Sequence, residues 1–197
     1  MSINEKTLEQ LFVSKVRIKA LRYFMTNPTI SIHLRGAVRE FDEEINAVRR
    51  ELMRLETVGL IKVETKGNRK YFKLNINHSL VDELSNLIHK TFGLGGEITS
   101  QASKLGDIKF AFLTPSFTKG FQYGNQIIDL VLIGTVNMND LNKIVKVQED
   151  ATGKEIHYTV ISNTEFDLRK RRKDNFYTDL IEQSLVMLVG KQEDLIS

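Results

Sequence analysis

DEEINAVRRELMRLETVGLIKVETKGNRKYFKLN, residues 42–75, carries two hydrophobic periods in succession, and the change from one to the other decides the fold. In the first part Ile45, Val48, Leu52 and Leu55 recur at i, i+3, i+7 and i+10, the spacing of one buried helical stripe. Asn46, Arg49 and Arg50 are then left facing outward on the first two turns. Gly59 supplies a helix stop. Beyond it the spacing predicts a strand over Leu60–Glu64, a tip of Lys66, Gly67, Asn68, Arg69 and Lys70, and a second strand over Tyr71–Asn75, which is a hairpin with a cationic turn. A basic helix beside a basic hairpin suits a DNA duplex.

Upstream, Leu8, Leu11, Phe12, Val16, Ile18, Leu21 and Phe24 predict helix from Ile3 to about Met25, broken near Val13-Ser14 and ended by Asn27-Pro28. Ser31–His33 is a short strand candidate, Leu34–Phe41 a second helix and residues 42–58 the third. Helix, strand, helix, helix, hairpin is the order of a winged helix-turn-helix. In helix-turn-helix proteins the second helix of the motif enters the major groove, where Arg grips guanine and Asn grips adenine. Asn46, Arg49 and Arg50 are therefore the expected base contacts, with Arg54 one turn further on reaching the backbone. Lys66, Asn68, Arg69 and Lys70 are expected at phosphate or the minor groove, which strengthens binding without choosing sequence. Two other readings stand beside this one. One takes Arg49 and Arg50 as a solvated face paired with Glu43, Glu44 or Glu51, and the other takes the module as a protein-binding one. Asp42, Glu43 and Glu44 at the helix start suit its dipole but repel phosphate.

Charge is placed unevenly along the chain. Residues 1–95 hold 16 Lys and Arg against 11 Asp and Glu, a net +5, and residues 96–197 hold 12 against 14, a net −2. The basic half is the half with the helix and hairpin, as phosphate attraction requires. With 41% hydrophobic and 27% charged residues the 197-residue chain reads as globular, with room for two modest cores. Its polar start lacks a signal-peptide pattern, and no stretch nears the ~18 apolar residues of a membrane helix. A cytoplasmic protein without membrane association is the expectation. Zero cysteines exclude disulfides, thiol catalysis and cysteine-based zinc sites. His33, His78, His89 and His157 show no metal-ligand spacing, so no metal or cofactor is expected.

A helix over about 79–92 carries Leu80, Leu84, Leu87, Ile88 and Phe92 on one side, a stripe that packs on its own domain or on a second copy. Gly93-Leu94-Gly95-Gly96 coincides with the change of charge and marks the expected boundary between a first domain, 1–93, and a second, 97–197. From there the chain alternates: helix 97–105, strand 108–113, strand 127–134, helix 138–148, strand 156–161, helices near 164–173 and 175–183, and a final strand 185–189. This predicts a layered α/β domain, and an α+β protein overall.

Within that second domain IKFAFLTPSFTKGFQYGNQIIDLVLIG, residues 108–134, resembles the signature of the minimal nucleotidyltransferase family, a strand entering Gly-Ser-x-x-x-Gly with Asp-x-Asp on the next strand. Ser116, Gly120 and Asp129 fall in register with it. In that family the turn presents N–H groups to phosphate and the paired carboxylates hold Mg²⁺. Here Pro115 replaces the first glycine and Ile127 the first aspartate, and no acid occurs in the strand 156–161. A single Asp129 does not assemble two-metal geometry. The resemblance thus implies the fold and argues against the activity, leaving Asp129 as a locally bonded strand-end residue or Ser116, Gly120 and Asp129 as a residual nucleotide site. LFVSKVRIKALRYFMTNP (11–28), EINAVRRELMRLETVGLIKVETKGNRKYF (44–72) and KTFGLGG (90–96), followed by this signature, make the whole chain similar to regulators that fuse an ArsR-like winged helix to a nucleotidyltransferase-like domain.

The resemblance implies a homodimeric, DNA-binding transcriptional regulator with an inactive second domain serving as sensor or interaction surface. The rivals are a protein-binding adaptor facing a toxin-like partner and a nucleotidyltransferase with unorthodox metal ligands. The run Arg169–Lys173 reads as a solvated helix end or as a second phosphate patch.

Overall fold

The computed structural model describes residues 3–120 and 127–196. The chain is a mixed α+β protein with two sheets, and it divides between Ile88 and His89 into two compact units. The glycine cluster read as a linker is not one. Gly93 to Gly96 begin a helix, and Leu94, Gly95 and Gly96 are buried. Glycine there serves close packing rather than a hinge.

In the first unit α1 (Ile3–Leu11) and α2 (Lys15–Thr26) are separate helices. The expected break occurs because the Ser14 hydroxyl accepts from the Arg17 N–H at 3.2 Å, a helix N-cap. β1 (Ile32–His33), α3 (Leu34–Phe41), α4 (Ile45–Thr57), β2 (Ile61–Lys66) and β3 (Arg69–Leu74) follow. The expected element order is present. α4 starts three residues later than its acidic start suggested, because Asp42 ends α3 in the left-handed region and Glu44 is extended. Ile45 therefore precedes the packed stripe and is 37% exposed, a correction to its placement in the core. Val48, Leu52 and Leu55 are buried as expected, as are Leu21 and Phe24 of α2 and Phe41 of α3, the two helices that α4 packs against.

The sheet order is β1-β3-β2, antiparallel throughout, with Lys66 opposite Arg69 across a two-residue Gly67-Asn68 turn. The tip is thus shorter than the five residues read from the sequence. Gly67 at φ 59° with Asn68 outside the left-handed region suits a II′ hairpin, whose first central position favours glycine. α5 (Val81–Thr91) closes the unit and continues past it. Its packed face runs through Val81, Ser85 and Ile88, while Leu80 lies before the helix and is 54% exposed.

The second unit is a four-stranded sheet, β6-β5-β4-β7, with helices on both faces. β4 (Gly106–Leu113) pairs antiparallel with β5 (Leu130–Val136) and with β7 (Val186–Val189); β6 (Tyr158–Ile161) is parallel to β5. One face packs Ala111, Leu113, Leu130 and Leu132 against α6 (Gly93–Leu105) and α8 (Met138–Thr152). The other packs Phe110, Phe112, Val131 and Ile133 against α9 (Asn163–Arg172), α10 (Asn175–Ile181) and α11 (Gln192–Ile196). Covering both faces is what makes Phe110–Leu113 of β4 and Leu130–Ile133 of β5 unbroken apolar runs instead of alternating ones. β5 and β6 begin two to three residues later than expected, and α11 had no periodic signal in five residues.

Candidate functional site

Asn46, Arg49 and Arg50 are all exposed on the first half of α4, as the stripe opposite them requires. They are joined to the helix start by a chain of hydrogen bonds. The Glu44 carboxylate accepts from the N–H groups of Asn46 and Ala47 at 2.8 and 3.0 Å, capping the helix. The Asn46 amide donates to Glu44 at 3.1 Å and accepts from the Arg49 guanidinium at 3.2 Å. Those two backbone donors hold the Glu44 carboxyl below the usual carboxylate range.

A carboxyl whose folded-state value is depressed stabilises the fold above the ordinary range and loses that contribution as pH falls through the depressed value. Glu44→Gln is accordingly expected to melt below the parent protein at neutral pH, with the gap closing as pH drops below about 4. Thermal melts at a series of pH values read this directly; a gap that stays constant into acid contradicts it.

Of the acids that argued against a phosphate-facing helix, Glu43 is engaged on another helix, whereas Asp42 and Glu44 stay exposed at the helix start. Glu43 pairs with Lys19 of α2 at 2.6 Å, and Lys19 also donates to the Phe41 carbonyl at 2.7 Å. Glu51 is buried and takes both ends of the Arg17 guanidinium at 2.5 and 3.3 Å, with exposed Arg54 at 3.4 Å. Arg50 makes no ion pair among the described residues, so of the acids that could neutralise Arg49 and Arg50, Glu43 and Glu51 are turned away and Glu44 alone stays close, acting on Arg50 through its charge and on Arg49 through Asn46. On the hairpin Lys66, Asn68, Arg69 and Lys70 are exposed. Lys66 lies 3.6 Å from Glu64 and 5.7 Å above the Tyr71 ring, whereas Arg69 and Lys70 have no ion pair among the described residues. The pleat separates the set, with Lys66 and Arg69 on one side and Lys70 with Thr65 on the other.

Sequence reasoning passed over four exposed or half-exposed cations in this unit. Arg35 and Arg39 stand one turn apart on α3, away from buried Ala37 and Phe41, a helical spacing that was available in the sequence. Lys62 and Lys73 continue the solvent side of the hairpin. The strand alternation that buries Ile61, Phe72 and Leu74 gives them away.

In the second unit the signature residues come together, but each has a structural task. The Thr114 hydroxyl accepts from the Ser116 N–H at 3.2 Å and caps α7 (Pro115–Lys119), where Pro115 fits the first helical position. Gly120 at φ 69° ends that helix. The Ser116 hydroxyl donates to one Asp129 oxygen at 3.1 Å, and the His157 N–H donates to the other at 2.9 Å, with the His157 ring nitrogen at 3.5 Å. Asp129 is a buried strand-end carboxylate joining β4, β5 and β6. Residues 121–126 of the signature lie outside the described residues.

A Mg²⁺ pair does not suit this donor set. The Ile127 side chain offers no oxygen, both Asp129 oxygens already accept hydrogen bonds, and no group of three His, Asp or Glu side chains among the described residues converges for a metal. The four histidines are likewise dispersed. His33 caps α3 through Gly36 N–H at 3.0 Å, His78 binds the Val58 carbonyl at 3.2 Å, and His89 is buried edge-on to Phe117. In the basic run Arg169 is committed to Glu165 at 2.7 Å, to Asp174 at 3.0 Å and to the face of Phe176, while Arg171, Arg172 and Lys173 are exposed at the helix end.

No helix among the described residues is long and apolar enough to cross a membrane. No protein-family model matches the chain, and no curated protein and no solved structure matches it at significant similarity.

Proposed function

We propose that this chain is a sequence-specific DNA-binding transcriptional regulator of the cytoplasm, acting as a homodimer. In this reading its first unit is a winged helix-turn-helix that sets α4 in the major groove and the β2–β3 hairpin on the flanking backbone or minor groove. The second unit is a nucleotidyltransferase-like fold without the activity, serving as a sensor or interaction surface. The observation that carries the reading is the disposition of charge around α4. Glu43 and Glu51 are drawn inward to Lys19 and Arg17, Glu44 is turned into a cap, and Arg49 and Arg50 keep the outward face. A polyanion meets cations there, and the Asn46–Arg49 hydrogen bond holds two base-reading side chains side by side.

The test is fluorescence anisotropy of the protein against a pool of genomic DNA fragments, titrated across salt. Tight binding to a few fragments is expected. Arg49→Ala is expected to cost about 1 to 3 kcal/mol of affinity and to relax the preference among fragments. Weak, uniform binding that vanishes at physiological salt would reject the reading.

A second reading has one observation in its favour. Ile45 and Met53, 37% and 56% exposed, stand one turn either side of Arg49 on the same face of α4. Apolar groups flanking a cation also suit a protein partner. Under that adaptor reading the apolar pair carries the contact, so the Arg49→Ala, Arg50→Ala double variant keeps its cellular target and has no DNA preference to lose.

A further inference from the structure

The solvent face of the hairpin repeats one arrangement from tip to base. Cross-strand register sets Lys66 directly opposite Arg69 and Lys62 directly opposite Lys73, and pleat alternation places all four on the same side, away from buried Ile61, Phe72 and Leu74. Between them stand Glu64 and Tyr71, whose ring lies between the Lys66 ammonium at 5.7 Å and His33 edge-on at 5.7 Å. Four cations thus face a single acid, and that acid is shared only with Lys66. Lys62, Arg69 and Lys73 make no ion pair among the described residues.

Like charges directly opposite on a sheet destabilise it, and here two such pairs occur on one hairpin. A polyanion relieves that repulsion. The pairs are four residues apart along each strand, about 13 Å at strand rise. Duplex DNA carries a phosphate every ~3.4 Å of axis per strand, so about four steps of one strand bring phosphates to both pairs.

We propose that this whole face, base as well as tip, is a phosphate-contacting surface for duplex DNA, with Lys62 and Lys73 extending the footprint beyond the tip. The proposal rests on the DNA-binding reading of the first unit. It adds a surface that contributes affinity without sequence preference, since it meets only backbone.

The experiment measures the salt dependence of binding to a duplex of about 30 base pairs for the parent protein, for Lys62→Gln, Lys73→Gln, and for a control of equal charge change on exposed residues of the second unit, Lys104→Gln, Lys146→Gln. The hairpin variant is expected to show a log–log salt slope shallower by about 2, with the same fragments preferred, while the control keeps the parent slope. The hairpin variant is also expected to melt a few degrees higher, because the like-charge pair Lys62/Lys73 is removed. An unchanged slope in the hairpin variant, alongside lost binding in Arg49→Ala, Arg50→Ala, overturns this inference and leaves the DNA reading standing. An equal loss in the control overturns it as well, by reducing the effect to net charge. A parent protein indifferent to duplex DNA overturns the DNA-binding reading itself.

Discussion

Gly95→Ala is expected to abolish cooperative folding of the second unit, although alanine is the better helix former. Gly95 is buried in the first turn of α6. A Cβ added there would lie 2.0 Å from the His89 carbonyl oxygen and 3.0 Å from the Leu188 side chain. The obstacle is backbone, which no rotamer change removes, so the end of α5 and the start of α6 must separate. Leu94 and Ile98 beside it are buried in the core against β4, β5 and β7, and separation opens that core. Helix propensity alone favours the substitution by ~0.5–1 kcal/mol; the overlap is expected to cost more than ~3 kcal/mol, the upper end of ordinary overpacking. Native-state hydrogen exchange read peptide by peptide separates the two outcomes. Protection lost from β4, β5 and α8, with α2 and α4 still protected, is the expected pattern. A variant as stable as its parent would mean that the junction of α5 and α6 yields cheaply.

The second large effect is expected at Arg17, far from α4 in the chain but bonded to it. Its guanidinium meets the Glu51 carboxylate in a two-pronged pair across 34 residues, and the Glu51 side chain is only 3% exposed. The pair holds the Arg17 guanidinium's affinity for its proton above the ordinary value, chiefly through the hydrogen bond to Glu51. Arg17→Ala leaves a carboxylate with little water and only the outlying Arg54, and is expected to cost about 2 to 4 kcal/mol. The lower end applies because Arg17 is itself a third exposed, which lets solvent screen the vacancy. Replacing both partners, Arg17→Met with Glu51→Leu, is expected to recover most of that loss, since no charge is then stranded. Urea unfolding of the single and double variants tests both statements. A double variant as damaged as Arg17→Ala would show that the loss comes from helix packing and not from the stranded charge.

The same ion pair bears on how the proposed interface was legible. The exposure of Asn46, Arg49 and Arg50 follows from Val48, Leu52 and Leu55 being buried on the opposite side, a relation contained within one helix. The fate of Glu43 and Glu51 does not, because their partners lie on α2. Read locally, these acids are neighbours of Arg49 and Arg50 and weaken a phosphate contact. In the folded unit they are turned toward Arg17 and Lys19, so the charge of the outward face is more positive than its sequence. On the hairpin, the cations were legible as a turn, but which of them share a side followed only from the register across Gly67-Asn68.

In the second unit the strand run Phe110–Leu113 and the run Leu130–Ile133 were legible because burial on both faces leaves no polar position. The tasks of Ser116, Gly120 and Asp129 were not. Asp129 owes its position to Ser116 and to the His157 N–H, groups 13 and 28 residues away, and the matching of a signature is blind to whether its carboxylate is already engaged.

By itself, then, the sequence determined the order of elements, the helical and strand periods and the two basic elements of the first unit, since each follows from side chains within a few residues of one another. Tertiary structure alone decided that Gly93–Gly96 are packed helix instead of linker, that Glu43 and Glu51 are paired with α2, and that Lys62 stands directly opposite Lys73. The reason is common to all three. Periodicity is a property of one segment, whereas close backbone approach, ion pairing and strand register join residues that the chain keeps apart until it folds.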